Sequence, residues 1–300
     1  MLNTQTLHTE TGYLPVTPPF DFAKSLEFLG EFAPTEGEQE ITADSLTKAI
    51  MISGHCIAFR VQAGDSSEQP TVKYTLFSEE PLDNSVRQAV IDRITFFLSL
   101  DDDLEPFYAI ALKDECFTPI IKRLYGLHHV KFLTLCEIAC WSVLTQHRPI
   151  AIARKMKQAL VKRYGGSITV EGKVYWAFPE IESLIAVSRE EFAALIKNER
   201  CAQYLCEVTN ALSTLNEEFL RTAPYDEAEH ALRKVKGIGQ WSAAFILLRG
   251  LGRMERLLFN LKPFLEALPK VYGLGVTMEQ LSHRYGPWFG YWGLYFRAAN

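Results

Sequence analysis

The chain has 300 residues, enough for two or three domains with full cores. Hydrophobic residues make up 48% and charged residues 22%, which excludes a disordered polymer. The net charge is −5, from 31 Lys and Arg against 36 Asp and Glu, and taken alone it argues against a cation-coated surface for gripping nucleic acid. Six cysteines, at 56, 116, 136, 140, 201 and 206, form no C-x-x-C and stand at no zinc spacing from a histidine, so they read as reduced core thiols and no metal site is expected. Apolar runs such as 243–248 are too short to span a bilayer, and the start of the chain, with His8 and Glu10, lacks a basic leader. A cytoplasmic protein without a membrane partner is expected.

In chain order, Pro18-Pro19-Phe20-Asp21-Phe22 reads as a turn into a short helix over 23–32. Runs 57–62 and 71–77 are alternating and β-branched or aromatic, and the loop 63–67 between them predicts a hairpin. Residues 86–98 mix helix and strand signals. Residues 1–103 therefore read as an α+β domain. Beyond Asp101-Asp102-Asp103 a helical period governs 104–112, 117–124, 130–146, 151–164, 181–186, 189–197, 202–215, 228–235 and 241–251. Strand signals there are limited to 167–174. The fold class expected is α+β, with an all-helical domain over 104–300.

Local charge departs from the net charge. Residues 148–173 hold seven Lys and Arg and one acid, Glu171; residues 233–262 hold seven more and one acid, Glu255. Both blocks lie in the helical part, which favours a polyanion partner. Between two amphipathic helices stands Val235-Lys236-Gly237-Ile238-Gly239-Gln240-Trp241-Ser242-Ala243. Gly237 and Gly239 are expected to make a tight turn with positive φ. A helix starting near Gln240 would turn its free N–H groups outward, where they can hold a phosphate. Lys236 and Arg233 add charge, and Ile238 would plug the turn into the core.

The stretch K-G-I-G-Q-W-S-A-A-F-I-L-L-R-G-L-G-R closely resembles the helix-hairpin-helix element of DNA glycosylases, and more narrowly the DNA-3-methyladenine glycosylase II group. Pro18–Phe22, Leu100–Asp103 with Phe107-Tyr108, Phe132–Gln146 with Pro149–Ala159, Asn198–Leu205 and Gly286-Pro287-Trp288 resemble further family segments, so the likeness covers nearly the whole chain. It implies a monomeric protein that binds double-stranded DNA and extrudes a damaged, alkylated base into a pocket. The DNA contacts implied are Lys236, Gly237, Ile238, Gly239, Gln240, Ser242 and Arg148, with the Gln146-His147 turn filling the gap left in the duplex. Trp241, Phe245 and Arg297 fall at base-pocket positions. No cofactor is implied, although the likeness permits a structural monovalent cation at the hairpin carbonyls.

The departure lies at the catalyst. Cleaving an N-glycosidic bond builds positive charge on the sugar, and the family places an aspartate nearby to stabilise it. That position falls on Leu261, or on Asn260 with a shift of one, and neither is acidic. Asn260 can orient water but cannot neutralise a cation. Glu255 and Glu266 are the nearest carboxylates, and an arginine at 297 would disfavour a cationic base. Three readings follow: a DNA N-glycosylase, a DNA-binding relative that recognises lesions without excision, and a helical interaction protein.

Overall fold

The computed structural model describes residues 7–35, 37–64, 70–257 and 262–299. Five antiparallel strands, β1 (His8–Pro15), β2 (Gln39–Ile41), β3 (Ser45–Ile52), β4 (His55–Ala63) and β5 (Thr71–Ser78), form one sheet in the order β1-β5-β4-β3-β2. The predicted hairpin is β4 and β5, with Ala58 opposite Phe77. The loop predicted over 63–67 falls mostly outside the described residues. Alternation did not expose β1 to β3, because β3 is buried along both faces for most of its length.

Helix α1 (Phe22–Gly30) begins where the Asp21 carboxylate accepts from Ala23 N. Helix α2 (Asn84–Leu98) begins in the same way at Asp83 and ends where Ser99 turns left-handed, with φ 53°. Both helices pack their apolar residues on the inner face of the sheet, with Leu26, Leu29, Val90, Ile94 and Phe97 against Phe59, Val61 and Leu76. The mixed signal over 86–98 resolves as helix because its apolar residues recur on one face.

The helical part follows as α3 (Glu105–Ala111), α4 (Thr118–Leu124), α5 (Leu135–Leu144) and α6 (Ile150–Tyr164). Then come a two-stranded hairpin, β6 (Gly166–Val170) and β7 (Lys173–Ala177), and α7 (Ile181–Ile185), α8 (Arg189–Ile196), α9 (Glu199–Leu212), α10 (Glu217–Thr222), α11 (Tyr225–Arg233) and α12 (Gln240–Phe245). The last of these continues as a π-helical turn over Ile246–Gly250, and α13 (Lys262–Tyr272), α14 (Met278–Tyr285) and α15 (Phe289–Ala299) complete the chain. The architecture is α+β: a small antiparallel sheet followed by a mostly helical region. The strand signal at 167–174 is real, and its hairpin covers the outer face of the sheet through Ile168, Val170, Tyr175 and Ala177. Glu180 secures that contact by accepting from the backbone N–H groups of Ser53 and Gly54 at 2.7 and 2.8 Å.

Two further cores divide the helices. One gathers α5, α6, α8, α9, α11 and α12 around Ile138, Leu160, Leu205 and Ile246. The other packs α3 and α4 against α13, α14 and α15. In the latter, Phe289, Tyr291, Trp292, Tyr295 and Phe296 are all buried. The Asp114 carboxylate accepts from Tyr272, Tyr285 and Arg284, and the Tyr295 hydroxyl donates to Leu127 O. The aromatic C-terminal stretch is thus core with satisfied hydroxyls, not an open pocket wall.

Lys157 is withdrawn from the basic block at 148–173. It is fully buried, with Nζ 2.6 Å from both Glu38 and Glu137, and it ties α6 to α5 and to the segment before β2. Lys48 stands 3.9 Å from Glu38 in the same cluster. Among the described residues no helix is long and apolar enough to cross a membrane, and none of the six cysteines is paired, although Cys116 is exposed rather than in the core.

Candidate nucleic-acid interface and base pocket

The interface is built on the turn between α11 and α12. Gly237 has φ +100°, and a Cβ there would stand 2.8 Å from Tyr204 Cβ, so only glycine fits. Gly239 differs from the sequence expectation: it is extended, with φ −85° and ψ −179°, and serves as N-cap of α12. A Cβ on Gly239 would meet nothing within 4 Å, so its face is open to an approaching group. No side chain caps the first N–H groups of α12, which leaves them as donors beside that open face. Ile238 is buried in the helical core and anchors the turn.

A second turn abuts the first. Helix α5 ends at Thr145, and Gln146 Nε2 donates to Gly237 O at 2.7 Å. The Gln146 amide is therefore spent on the hairpin, and the exposed tip of its turn is His147, with φ 53°. Arg148 folds back to donate to Leu144 O and Gln146 O at 3.2 Å each. Gln240 is exposed, whereas Ser242 is buried, which withdraws its hydroxyl from the surface. Lys236 is exposed but lies 3.3 Å from Glu207. Arg253 and Arg256 also face acids, Glu255 at 2.6 Å and Asp226 at 2.7 Å. The second basic block is thus partly neutralised, and its charge at the hairpin rests mainly on exposed Arg233 and Lys234. For a cation at the hairpin, the carbonyls of Val235 and Gly237 already accept from Ile238 and Gln146. No group of three or more acidic, histidine or cysteine side chains converges among the described residues. An ion there would have to share carbonyls already in use.

Beside the turn an aromatic wall opens. Trp241, 47% exposed, stacks on Phe245 with centroids 5.0 Å apart and planes 11° apart. Phe245 meets Phe132 edge-on at 6.0 Å, Phe132 meets Phe32 edge-on at 5.3 Å, and Phe32 stacks with Phe28 at 5.9 Å. The Arg249 guanidinium lies over Phe28 and Phe32, at 4.9 and 4.8 Å from the ring centroids. Its Nη1 is 3.3 Å from His129 Nδ1. His129 is buried and donates from Nε2 to Leu248 O at 3.1 Å, so Nδ1 is left as an acceptor. Burial, followed by the nearby charges of Arg249 and Lys131, pushes His129 well below its ordinary pKa, and it is neutral. Arg249 itself is lowered to about 9 by burial and by Arg297, which leaves it charged at neutral pH.

Several predicted positions move. Arg297 is exposed near the end of α15, and its charge lowers the pKa of Arg249. Phe28, Phe32, Phe132 and Arg249 join Trp241 and Phe245 without having been predicted. Their signal is weak, since they come from three separate segments, around Phe28 and Phe32, at Phe132 and at Arg249, and meet only in space. Asn260 and Leu261 lie outside the described residues. The Glu255 carboxylate is held by two N–H groups of Arg253, at 2.8 and 2.6 Å, which opposes a role for it as a replacement catalyst. A cleft of about 450 Å³ lies beyond the π-helical turn, between Asp102, Gly252, Met254, Trp288 and Tyr291.

No family model matches the chain. It is 29% identical over 248 residues, 81% of either chain, to the DNA-3-methyladenine glycosylase of Bacillus subtilis. Its structure is similar to that of the 3-methyladenine DNA-glycosylase from Archaeoglobus fulgidus, with a TM-score of 0.75 and 19% identity, over 95% of this chain and 97% of that one. It is also similar to the Clostridium acetobutylicum 8-oxoguanine glycosylase/lyase in complex with dsDNA containing cytosine opposite 8-oxoG. There the TM-score is 0.59 and the identity 16%, over 87% of this chain and 96% of that one.

The chain has the fold of the helix-hairpin-helix DNA glycosylases. Its hairpin is the pair α11 and α12, and the sheet at the start of the chain is part of that glycosylase fold, not an unrelated attachment. Within the fold, Phe28 of α1 and Phe32 just beyond it share one wall with α12, because both rings meet Arg249 of the π-helical turn directly.

Proposed function

We propose that this protein is a DNA glycosylase of base-excision repair that acts in the cytoplasm as a monomer. It binds duplex DNA at the hairpin, extrudes a damaged base, such as an alkylated one, and hydrolyses its N-glycosidic bond. The observation that carries this reading is the uncapped start of α12 at open Gly239, set directly beside the exposed Trp241–Phe245 stack. In this reading the N–H groups at Gln240 and Trp241 take a backbone phosphate, with Arg233 and Lys234 adding long-range attraction. His147 at the tip of its turn enters the space that the base leaves, while Gln146 holds that turn on the hairpin. The extruded base stacks against Trp241 and Phe245, worth about 1–3 kcal/mol per base. Residues 104–300 carry the DNA, and residues 1–103 brace the wall through α1.

In this reading the sequence offers Leu261, or Asn260 with a shift of one, at the position of the carboxylate that would stabilise the cationic sugar, and excision is correspondingly slow. Release of 3-methyladenine and 7-methylguanine from methylated DNA tests the reading. Wild-type protein is expected to release base slowly, and Asn260→Asp or Leu261→Asp to accelerate release by about 10²–10³. Absence of binding to an abasic duplex at low salt overturns it. A second reading, lesion recognition without excision, is favoured by the engagement of Glu255 with Arg253. It predicts tight lesion binding with base release only in the Asn260→Asp or Leu261→Asp variant.

A further inference from the structure

We propose that Arg249 is the specificity-determining residue of this pocket: Nη2 donates to a carbonyl oxygen of an uncharged damaged base, and the guanidinium charge opposes a cationic one. The proposal rests on the pocket reading above and names the substrate class of that same site. Arg249 lies at one end of the aromatic run that begins at Trp241 and passes through Phe245, Phe132, Phe32 and Phe28. Its Nη2 is buried and has no hydrogen-bond partner. Buried guanidinium nitrogens are ordinarily satisfied, because an unmade bond keeps the full desolvation cost. Nη1 is held by a neutral histidine, which orients the fork without cancelling its charge. No carboxylate pairs with Arg249 among the described residues.

The chemistry that completes this site is an acceptor without positive charge. A carbonyl-bearing neutral base supplies the missing partner for Nη2. A small rotation of half-buried Phe28 or Phe32 admits it, a side-chain change of the kind common on binding. A cationic base gains from aromatic faces, but here Arg249 already occupies the faces of Phe28 and Phe32. The second cation would then sit in the same poorly screened wall as the first.

The test measures dissociation constants for duplexes that carry hypoxanthine (neutral, with a carbonyl) or 7-methylguanine (the same carbonyl on a cationic ring). Sugars carrying 2′-fluorine keep the bond intact, and an abasic analogue serves as a third duplex. Wild type is expected to prefer hypoxanthine by at least about tenfold, and Arg249→Met to remove that preference. Arg249→Lys keeps the charge but not the planar fork, so it should retain the discrimination against 7-methylguanine. Lysine also guards against a methionine variant that fails to fold. An unchanged hypoxanthine to 7-methylguanine ratio in folded Arg249→Met, or a wild-type preference for 7-methylguanine, overturns the proposal while abasic binding persists. Loss of abasic binding in wild type overturns the pocket reading and this proposal together.

Discussion

Lys157 and Arg249 are treated in opposite ways by their surroundings. Lys157, between α5, α6 and the segment before β2, meets two carboxylates at 2.6 Å. Arg249, between α1 and the hairpin helix, meets a neutral imidazole and two phenyl faces. The aromatics divide in the same way. Those of α15 are buried with their hydroxyls bonded, whereas Trp241 keeps nearly half its surface in water. Identical residue types thus serve stability where every group is satisfied. They serve recognition where a group is left unsatisfied, because an unpaired donor or an exposed ring lowers its free energy only when a ligand arrives.

The sharpest way to break that contrast is Lys157→Met. It leaves Glu38 and Glu137 buried with only Lys48, 3.9 Å from Glu38, as a nearby cation, and should cost about 3–5 kcal/mol in denaturant unfolding. A loss below 1 kcal/mol would mean that water reaches the cluster. Next comes a pair of tryptophans. Trp292→Ala, in the C-terminal core, should cost about 3–5 kcal/mol of stability. Trp241→Ala should leave stability within about 0.5 kcal/mol of wild type but weaken lesion-duplex binding by about 1–3 kcal/mol. Equal stability losses for the two would erase the distinction between core and wall.

The smallest effect is one of pH. Burial alone would raise the pKa of Glu137, but Lys157 and Lys48 outweigh it and hold the carboxyl below its ordinary 4.5. A carboxylate depressed on folding contributes stability above its unfolded pKa and loses it as pH falls through the folded value. Wild type should therefore lose more stability than Glu137→Gln when pH drops from about 6 to below 4. Parallel curves in urea titrations at the two pH values would contradict the assignment.

The hairpin was legible from sequence because its constraints are local. Gly237 is required by a positive φ and by the approach of Tyr204, and Ile238 by the core below it. Helices α3 to α9, α11 and α12 were legible from apolar period, whereas the short α10 was not. The C-terminal helices and β1 to β3 were not: α15 is apolar on every face because it is buried all round, and β3 is covered on both sides. The strand signal over 167–174 was visible, but not that its hairpin caps the N-terminal sheet.

Charge separates the two sources of information most clearly. Sequence by itself determined that the net charge of −5 hides two basic blocks around a G-x-G turn, since both are properties of adjacent residues. Which of those cations remain available depends on contacts between distant segments. Lys157, Lys236, Arg253 and Arg256 find acids from distant segments or nearby turns. Arg249 finds none among the described residues and lies over Phe28 and Phe32, more than two hundred residues earlier in the chain. Ion pairing and desolvation depend on separations of a few ångströms between segments far apart in the chain, and no local pattern records them.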